Sequence, residues 1–268
     1  MTQHRHGSAT RWGPLFGARA ATWAQTWEGP RGWGTPVYRH VLERARVRPG
    51  TTVLDCGCGA GRFVRLAADR GATVAGIDAS GDLVEIAVTR CPEADLRVGD
   101  VKQLPWPDDS FDVVTGFSSF QFADDHVLAL AEARRVSRRE IWVVIPTRLA
   151  ESGIPRVFAP LMALLAPEAL PSLQTSGMYA LSGPGKLEDI LAAARLSPLL
   201  DDTLEATAVF SDAAAAVDAF LSAGATGLAV SHSGQSAVEE ALHDALSPFI
   251  AANGEVTLPG WFRVVQAG

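Results

Sequence analysis

Between residues 51 and 147, short apolar runs alternate with segments whose apolar positions recur every three or four residues. An unbroken apolar run suits a strand buried on both faces, and spaced apolar positions suit a helix with one buried face. The runs lie at 51–55 (TTVLD), 73–78 (TVAGID), 96–100 (LRVGD), 112–117 (DVVTGF) and 141–145 (IWVVI). Between them the spacing predicts helices over 61–70, with Phe63, Leu66 and Ala67 on one face, and over 81–89 and 125–136. Such alternation predicts an α/β fold, a doubly wound Rossmann-like sheet that is mostly parallel. After Pro146 the regularity weakens. Proline and alanine recur through 154–171, which reads as helical pieces between proline stops. Helices are expected over 185–196, 212–223 and 236–252, the last opened by a capping box of Ser236 and Glu239. A strand is expected within 203–210 and a closing strand over 261–266.

Composition narrows the class. The chain has 268 residues, 47% of them hydrophobic and 20% charged, which excludes a disordered or disulfide-stapled chain. The three cysteines (Cys56, Cys58 and Cys91) form no C-x-x-C pair and no histidine lies near them, so no metal site is expected. The apolar stretch 157–167 is too short to span a bilayer and is broken by Pro160, and residues 1–17 hold no signal-like apolar core. A cytoplasmic protein without a membrane span is the expectation. Charge is distributed unevenly: residues 1–50 carry eight arginines against two glutamates, whereas 151–268 carry four basic and thirteen acidic groups. A basic front that clamps onto an acidic rear, or that holds an anionic acceptor, would account for this polarity.

The chemistry concentrates in Val53-Leu54-Asp55-Cys56-Gly57-Cys58-Gly59-Ala60-Gly61-Arg62, a strand running into a glycine turn and a helix. The third position of a dinucleotide G-x-G-x-x-G is Arg62 here, and no G-x-x-x-x-G-K-[ST] exists. Asp55 before the glycines would repel a pyrophosphate and attract an ammonium group. Asp78 and Asp100 end the next two strand runs, so Asp55, Asp78 and Asp100 should line one crevice at the carboxyl edge of the sheet. Asp78 can take both hydroxyls of a ribose; Asp100 can accept from an adenine amine, with the Val101 backbone beside the ring. An adenosine carrying an amino acid and no phosphates fits, and S-adenosyl-L-methionine is such a molecule.

In these motifs, and in GIDAS, VGDVKQLPWPDDSFDVVTGF and FADDHVLALAEARRVS in that order, residues 41–147 resemble class I S-adenosylmethionine-dependent methyltransferases, notably the ubiquinone/menaquinone C-methyltransferase group. The resemblance implies that Asp55, Gly57, Cys58, Gly59 and Gly61 surround the methionine part of the cofactor. It implies that Asp78 and Ala79 hold the ribose, Asp100 and Val101 the adenine, and that Phe117 sits near the sulfonium. It also implies a last, antiparallel strand, S-adenosyl-L-homocysteine as product and a small-molecule methyl acceptor. Where the family closes its fourth helix with a Pro-Gly-Gly turn, Arg138-Arg139-Glu140 runs into the strand.

The remaining length divides into an N-terminal arm or lid (1–40), a cofactor core (41–149), a cap insertion (150–185) and a C-terminal part of the core with a helical insertion and closing strand (186–268). Four of the seven tryptophans, Trp12, Trp23, Trp27 and Trp33, lie in the arm. Trp23, Trp27, Trp33 and Phe158 are the candidate acceptor pocket, which points to an apolar or aromatic metabolite and to secondary metabolism. Candidate bases are His232 and His126, with His243, Tyr179 and Glu151 behind them. The arginine run 134–139 ends a helix and reads as a solvated face, and Gly116-Phe117-Ser118-Ser119 holds neither N-P-P-[YF] nor Pro-Cys, so no nucleic-acid partner is expected. In one reading the chain pairs with a second copy of itself. A protein of the same fold that binds the cofactor but catalyses a cyclisation, or only binds, remains the alternative. A short-chain reductase is disfavoured because Tyr38 and Tyr179 are followed four residues on by Leu42 and Gly183 rather than lysine.

Overall fold

A computed structural model describes residues 7–268; residues 1–6 of the expected arm lie outside the described residues. The arm forms three helices, α1 (Ser8–Gly17), α2 (Ala20–Thr26) and α3 (Thr35–Arg44). The core then runs β1 (Thr52–Cys56), α4 (Arg62–Ala68), β2 (Thr73–Asp78), α5 (Gly81–Arg90), β3 (Asp95–Val98), β4 (Phe111–Phe117), α6 (His126–Val136) and β5 (Ser137–Thr147). The cap segment follows as α7 (Gly153–Phe158), short 3-10 turns and α8 (Leu170–Thr175), and the chain re-enters the core through α9 (Lys186–Ala193) and β6 (Pro198–Glu205). A second excursion comprises β7 (Ala208–Phe210), α10 (Ala213–Ser222), α11 (Gly224–Ser233), α12 (Gln235–Leu246) and β8 (Val256–Leu258), before β9 (Trp261–Ala267) closes the sheet.

The seven-stranded sheet has the order β3-β2-β1-β4-β5-β9-β6. Only β9 runs against its neighbours, between β5 and β6, as the expected closing strand requires. Why the strand runs lack polar alternation is visible in β1 and β4. Leu54 and Val114 face one apolar layer beneath α6 and α9, and Val53 and Val113 face another beneath α3 and α4; all four are at most 1% exposed. Chain order reverses between β1 and β4, with β2 leading one way and β4 the other, which opens a crevice at their carboxyl ends. The register sets Asp55 against Gly76 on β2 and Thr115 on β4, so the ends of three strands meet there.

A separate apolar core holds the caps together. Ile154 and Phe158 of α7 pack with Phe210, Phe220, Leu242 and Leu258, and Trp27 of the arm belongs to the same cluster. The basic arm does meet the acidic rear. Arg31 pairs with Glu255 at 3.7 Å and Arg19 hydrogen-bonds Gln235, while the indoles of Trp27 and Trp33 donate to the Ala219 and Ala206 carbonyls.

Three local expectations are corrected. The Ser236–Glu239 box does not cap α12: the helix begins one residue earlier after Gly234, and Ser236 lies exposed inside it. Residues 224–233, for which the sequence pattern predicts no element, form a helix. The strand expected within 203–210 is two strands: β6 begins at Pro198, and β7 pairs with β8 in a small second sheet. No single helix among the described residues is long and apolar enough to cross a membrane.

Candidate functional site

The crevice at the β1/β4 reversal is a cavity of about 190 Å³, roofed by the arm and flanked by both caps. By the same measure a single water needs only about 10–15 Å³, so the cavity is ligand-sized. Its floor is the glycine turn. Gly57 and Gly59 both have positive φ, and there is no room for side chains: a Cβ on Gly57 would strike Ser119, and one on Gly59 would strike the Glu28 carboxylate. Gly61 turns the chain into α4 and packs on Ala87, outside the lining. The roof also sits close, because Gly13 of α1 lies against the Ala79 carbonyl where any side chain would collide.

Asp78 is held by two backbone donors. Gly59 N–H donates to its Oδ2 at 2.9 Å and Ser80 N–H to its Oδ1 at 2.8 Å. Asp78 lines the cavity, and each of its oxygens can accept a further hydrogen bond, which is what a vicinal diol needs. Asp100 accepts from Lys102 N–H at 2.9 Å and faces the lining beside Gly99 and Val101. At the other end Asp55, 3% exposed, accepts from the Thr115 hydroxyl with Oδ1, and its Oδ2 has no protein hydrogen-bond partner among the described residues. Burial pushes the Asp55 carboxyl well above its ordinary range, with the charges of Glu28 and Asp78 acting in the same direction. Burial likewise raises Asp78 and Glu28, against the hydrogen bonds that favour their charged forms.

Sequence reasoning missed Glu28. The arm carries this glutamate, 6% exposed, to the glycine turn, where Ala60 N–H donates to Oε1 at 2.8 Å and Arg62 N–H to Oε2 at 3.0 Å. The Trp23 indole also donates to Oε1, and Arg90 pairs with Oε2 at 3.2 Å. No motif marks it; the only local signal is an acidic residue within a tryptophan-rich, arginine-rich segment.

The upper part of the cavity is apolar. Trp12, Phe16, Trp23, Phe117, Phe122 and Phe158 are among its walls, with Trp27, Trp33, Ile154 and Met178. Two hydroxyls here, Ser118 Oγ and Ser119 Oγ, are buried without a hydrogen-bond partner. Ser118 has a φ of 50°, a left-handed turn directly after Phe117 at the end of β4. The carboxyl side chains of the lining are Glu28, Asp55, Asp78 and Asp100; no lysine, arginine or histidine lines it among the described residues.

The candidate bases lie elsewhere. His232 is exposed at the end of α11, and His243 is exposed on α12. His126 follows the Asp125 cap of α6, contacts the Gln121 carbonyl and is held below its ordinary range by burial. Glu151 pairs with Arg148 at the surface, and Tyr179 is half-buried and outside the lining, its enclosed hydroxyl pushed well up by burial. Neither Arg19 nor Arg31 reaches the cavity, so the basic front does not place a cation on an anionic acceptor there. Cys58 lines the floor with its thiol raised by burial, and no group of three or more potential metal ligands exists among the described residues.

The comparisons agree with this geometry. Residues 54–145 match the family model described as a methyltransferase domain. The chain carries a class I S-adenosylmethionine-dependent methyltransferase domain. Its relatives include the malonyl-[acyl-carrier protein] O-methyltransferase of Serratia marcescens, 36% identical over 38% of this chain and 40% of that one. The nocamycin O-methyltransferase of Saccharothrix syringae is 32% identical over 59% of this chain and 64% of that one. The matches thus span less than two thirds of either relative. Among solved structures, YcgJ of Bacillus subtilis superposes with a TM-score of 0.55 at 20% identity, covering 86% of this chain and 96% of that one, which shows the shared fold. The methyltransferase domain's floor residues fit its cofactor: two side-chain-free glycines, a doubly anchored Asp78, and an Asp55 oxygen left unbonded.

The raised carboxyls carry a pH prediction. A carboxyl raised in the folded state binds more protons there than when unfolded, so its stabilising contribution is full below the unfolded value and is lost as pH rises through the folded one. Ligand-free protein should therefore lose melting temperature as pH rises above the ordinary carboxylate range, and Asp55→Asn should flatten that slope. An unchanged slope in a pH series of thermal melts would show that Asp55 does not titrate this way.

Proposed function

We propose that the protein transfers the methyl group of S-adenosylmethionine to a small, neutral, largely apolar or aromatic metabolite, by O- or C-methylation. The observation that carries this reading is the composition of this cavity: diol and ammonium acceptors on its floor, aromatic walls above, and no cation among its described lining. Bound S-adenosylmethionine supplies an electrophilic methyl on a sulfonium.

The chain's own residues then do three things. Asp78, Ala79, Asp100 and Val101 orient the adenosine end. Phe117 and the arm tryptophans exclude water, and their ring faces favour a cationic sulfur over bulk solvent. Ser118 and Ser119 offer hydrogen bonds to an acceptor oxygen, which aligns the acceptor for in-line displacement. Because no histidine lines the cavity among the described residues, positioning and desolvation are their principal contributions, and a hydroxyl acceptor gives up its proton to solvent as it enters the cavity. Residues 1–40 would act as the lid and 150–185 as a cap over the acceptor. The relative named as a nocamycin O-methyltransferase supports a place in secondary metabolism. Three buried free cysteines suit the cytoplasm.

Purified protein incubated with methyl-labelled S-adenosylmethionine and a fractionated metabolite extract should label a compound in the apolar fractions, read by mass spectrometry. Label that appears in no small molecule, while product forms without cofactor consumption, would overturn methyl transfer in favour of a non-methylating reaction.

A further inference from the structure

Of the second excursion, from β7 to β8, a single residue lines the cavity among the described residues: Ala223. It stands at the corner where α10 meets α11 at 91° and is 3% exposed. Its neighbours place it on the aromatic side, away from the adenosine floor. A Cβ on Gly224 would stand 2.9 Å from the Phe16 ring, and Phe16 lies edge-on to Trp23 and Phe122 at 5.2 and 5.4 Å. One turn earlier, the Ala219 carbonyl takes the Trp27 indole N–H. The corner is fixed in place. Ala223 N–H donates to the Phe220 carbonyl at 3.1 Å and the Ser222 hydroxyl to the Ala219 carbonyl at 2.6 Å. At the far end of α11 the Ser233 hydroxyl donates to the Leu164 carbonyl of the cap at 2.9 Å. Local preference does not explain the alanine. The position before a helix favours Ser, Thr, Asp or Asn, whose oxygen caps the leading N–H groups, and α11 has no such side-chain bond. What alanine provides is a small apolar surface on the cavity. Its backbone is extended (φ −75°, ψ 131°), so a longer side chain there meets no backbone strain.

On the acceptor reading above, we propose that Ala223 is the end wall of the acceptor space and sets the size of the apolar acceptor that the cavity admits. The floor holds the cofactor and the corner is pinned, so each carbon added at 223 takes volume from the acceptor alone. In a close-packed apolar pocket that loss falls on the largest ligands, because a small one leaves the wall untouched and a large one must overlap it. An Ala223 that only packed the corner would, when enlarged, disturb small ligands, large ligands and the cofactor alike.

Calorimetry on protein saturated with S-adenosylhomocysteine separates these roles, with phenol and 2-naphthol as neutral aromatic probes of two sizes. Wild-type protein should bind 2-naphthol at least about tenfold more tightly than phenol, because the second ring buries more apolar surface. Ala223→Leu should weaken 2-naphthol by about tenfold or more, while phenol and S-adenosylhomocysteine each stay within about threefold of wild type. Ala223→Val, a smaller step, should fall between, and it decides the matter if the leucine variant does not fold. Unchanged 2-naphthol binding in a folded variant, or equal weakening of both phenols, overturns the proposal and leaves the acceptor reading standing. Wild-type protein that takes up S-adenosylhomocysteine but neither phenol overturns the acceptor reading, and the proposal with it. Wild-type protein that does not take up S-adenosylhomocysteine overturns the cofactor reading and both that rest on it.

Discussion

Asp78→Ala should reduce S-adenosylhomocysteine binding by at least about a hundredfold. Two hydrogen bonds from ribose hydroxyls to an ionised carboxylate are worth roughly 1.5–3 kcal/mol each, and about 1.4 kcal/mol is a factor of ten. The same substitution removes the acceptor of Gly59 N–H and Ser80 N–H, so the glycine turn and the entry to α5 lose their common anchor. Asp78→Asn separates the two effects, because its amide keeps an acceptor for one N–H and loses the charge. Calorimetric titration of both variants checks this, with circular dichroism to show that each is folded. Binding within about threefold of wild type in Asp78→Asn would mean that the ribose lies elsewhere.

The second large effect concerns the joint between arm and cap. Trp27 is 7% exposed, packs edge-on against Phe210 and Phe220, and donates its indole N–H to the Ala219 carbonyl at 2.8 Å. Trp27→Ala removes that packing and one of two donors to the buried Ala219 carbonyl, which keeps the Ser222 hydroxyl, for a cost of roughly 3–5 kcal/mol. For a chain of this size that corresponds to a fall of about 10 °C in melting temperature. Trp27→Phe, which loses the N–H but keeps most of the ring, should lose less than half as much. If Trp27→Ala melted within about 2 °C of wild type, the arm would not be an integral part of the second core.

How far the sequence disclosed the structure depends on the range of the interactions involved. β2 was legible to the residue, because a strand buried on both faces reads as an unbroken apolar run ended by a turn. Asp55, Asp78 and Asp100 were legible as a group because strand ends in such a sheet converge, and all three do line the cavity. Edge strand β6 was half lost: Asp201 and Asp202 interrupt its pattern, and they are tolerated because His40, Arg44 and Arg263 meet them from neighbouring elements. α11 was hidden by Gly224, Gly227 and a run of small polar residues, and it is helical because Thr226 and Ala229 are buried against the caps. Ser236 and Glu239 have capping spacing, but tertiary packing starts the helix at Gly234.

Glu28 shows the limit most clearly. Its local neighbours are Trp27 and Gly29, neither of which suggests a binding role, and its meaning comes from backbone groups more than thirty residues away. Placing candidate bases by residue type fared no better. The histidines follow helix ends and surfaces, whereas the hydroxyl residues that line the cavity include Ser118 and Ser119 at the tip of β4 and Tyr38 of the arm.

The central claim is that one cavity holds the cofactor on its carboxylate floor and the acceptor against its aromatic roof. The most direct measurement is a crystal structure with S-adenosylhomocysteine bound. The account predicts ribose hydroxyls on Asp78, the adenine beside Val101, the amino group facing Asp55, and the sulfur opening onto Phe117 and the arm tryptophans. A ligand seated outside this cavity, or one whose sulfur faces away from the aromatic walls, would contradict it.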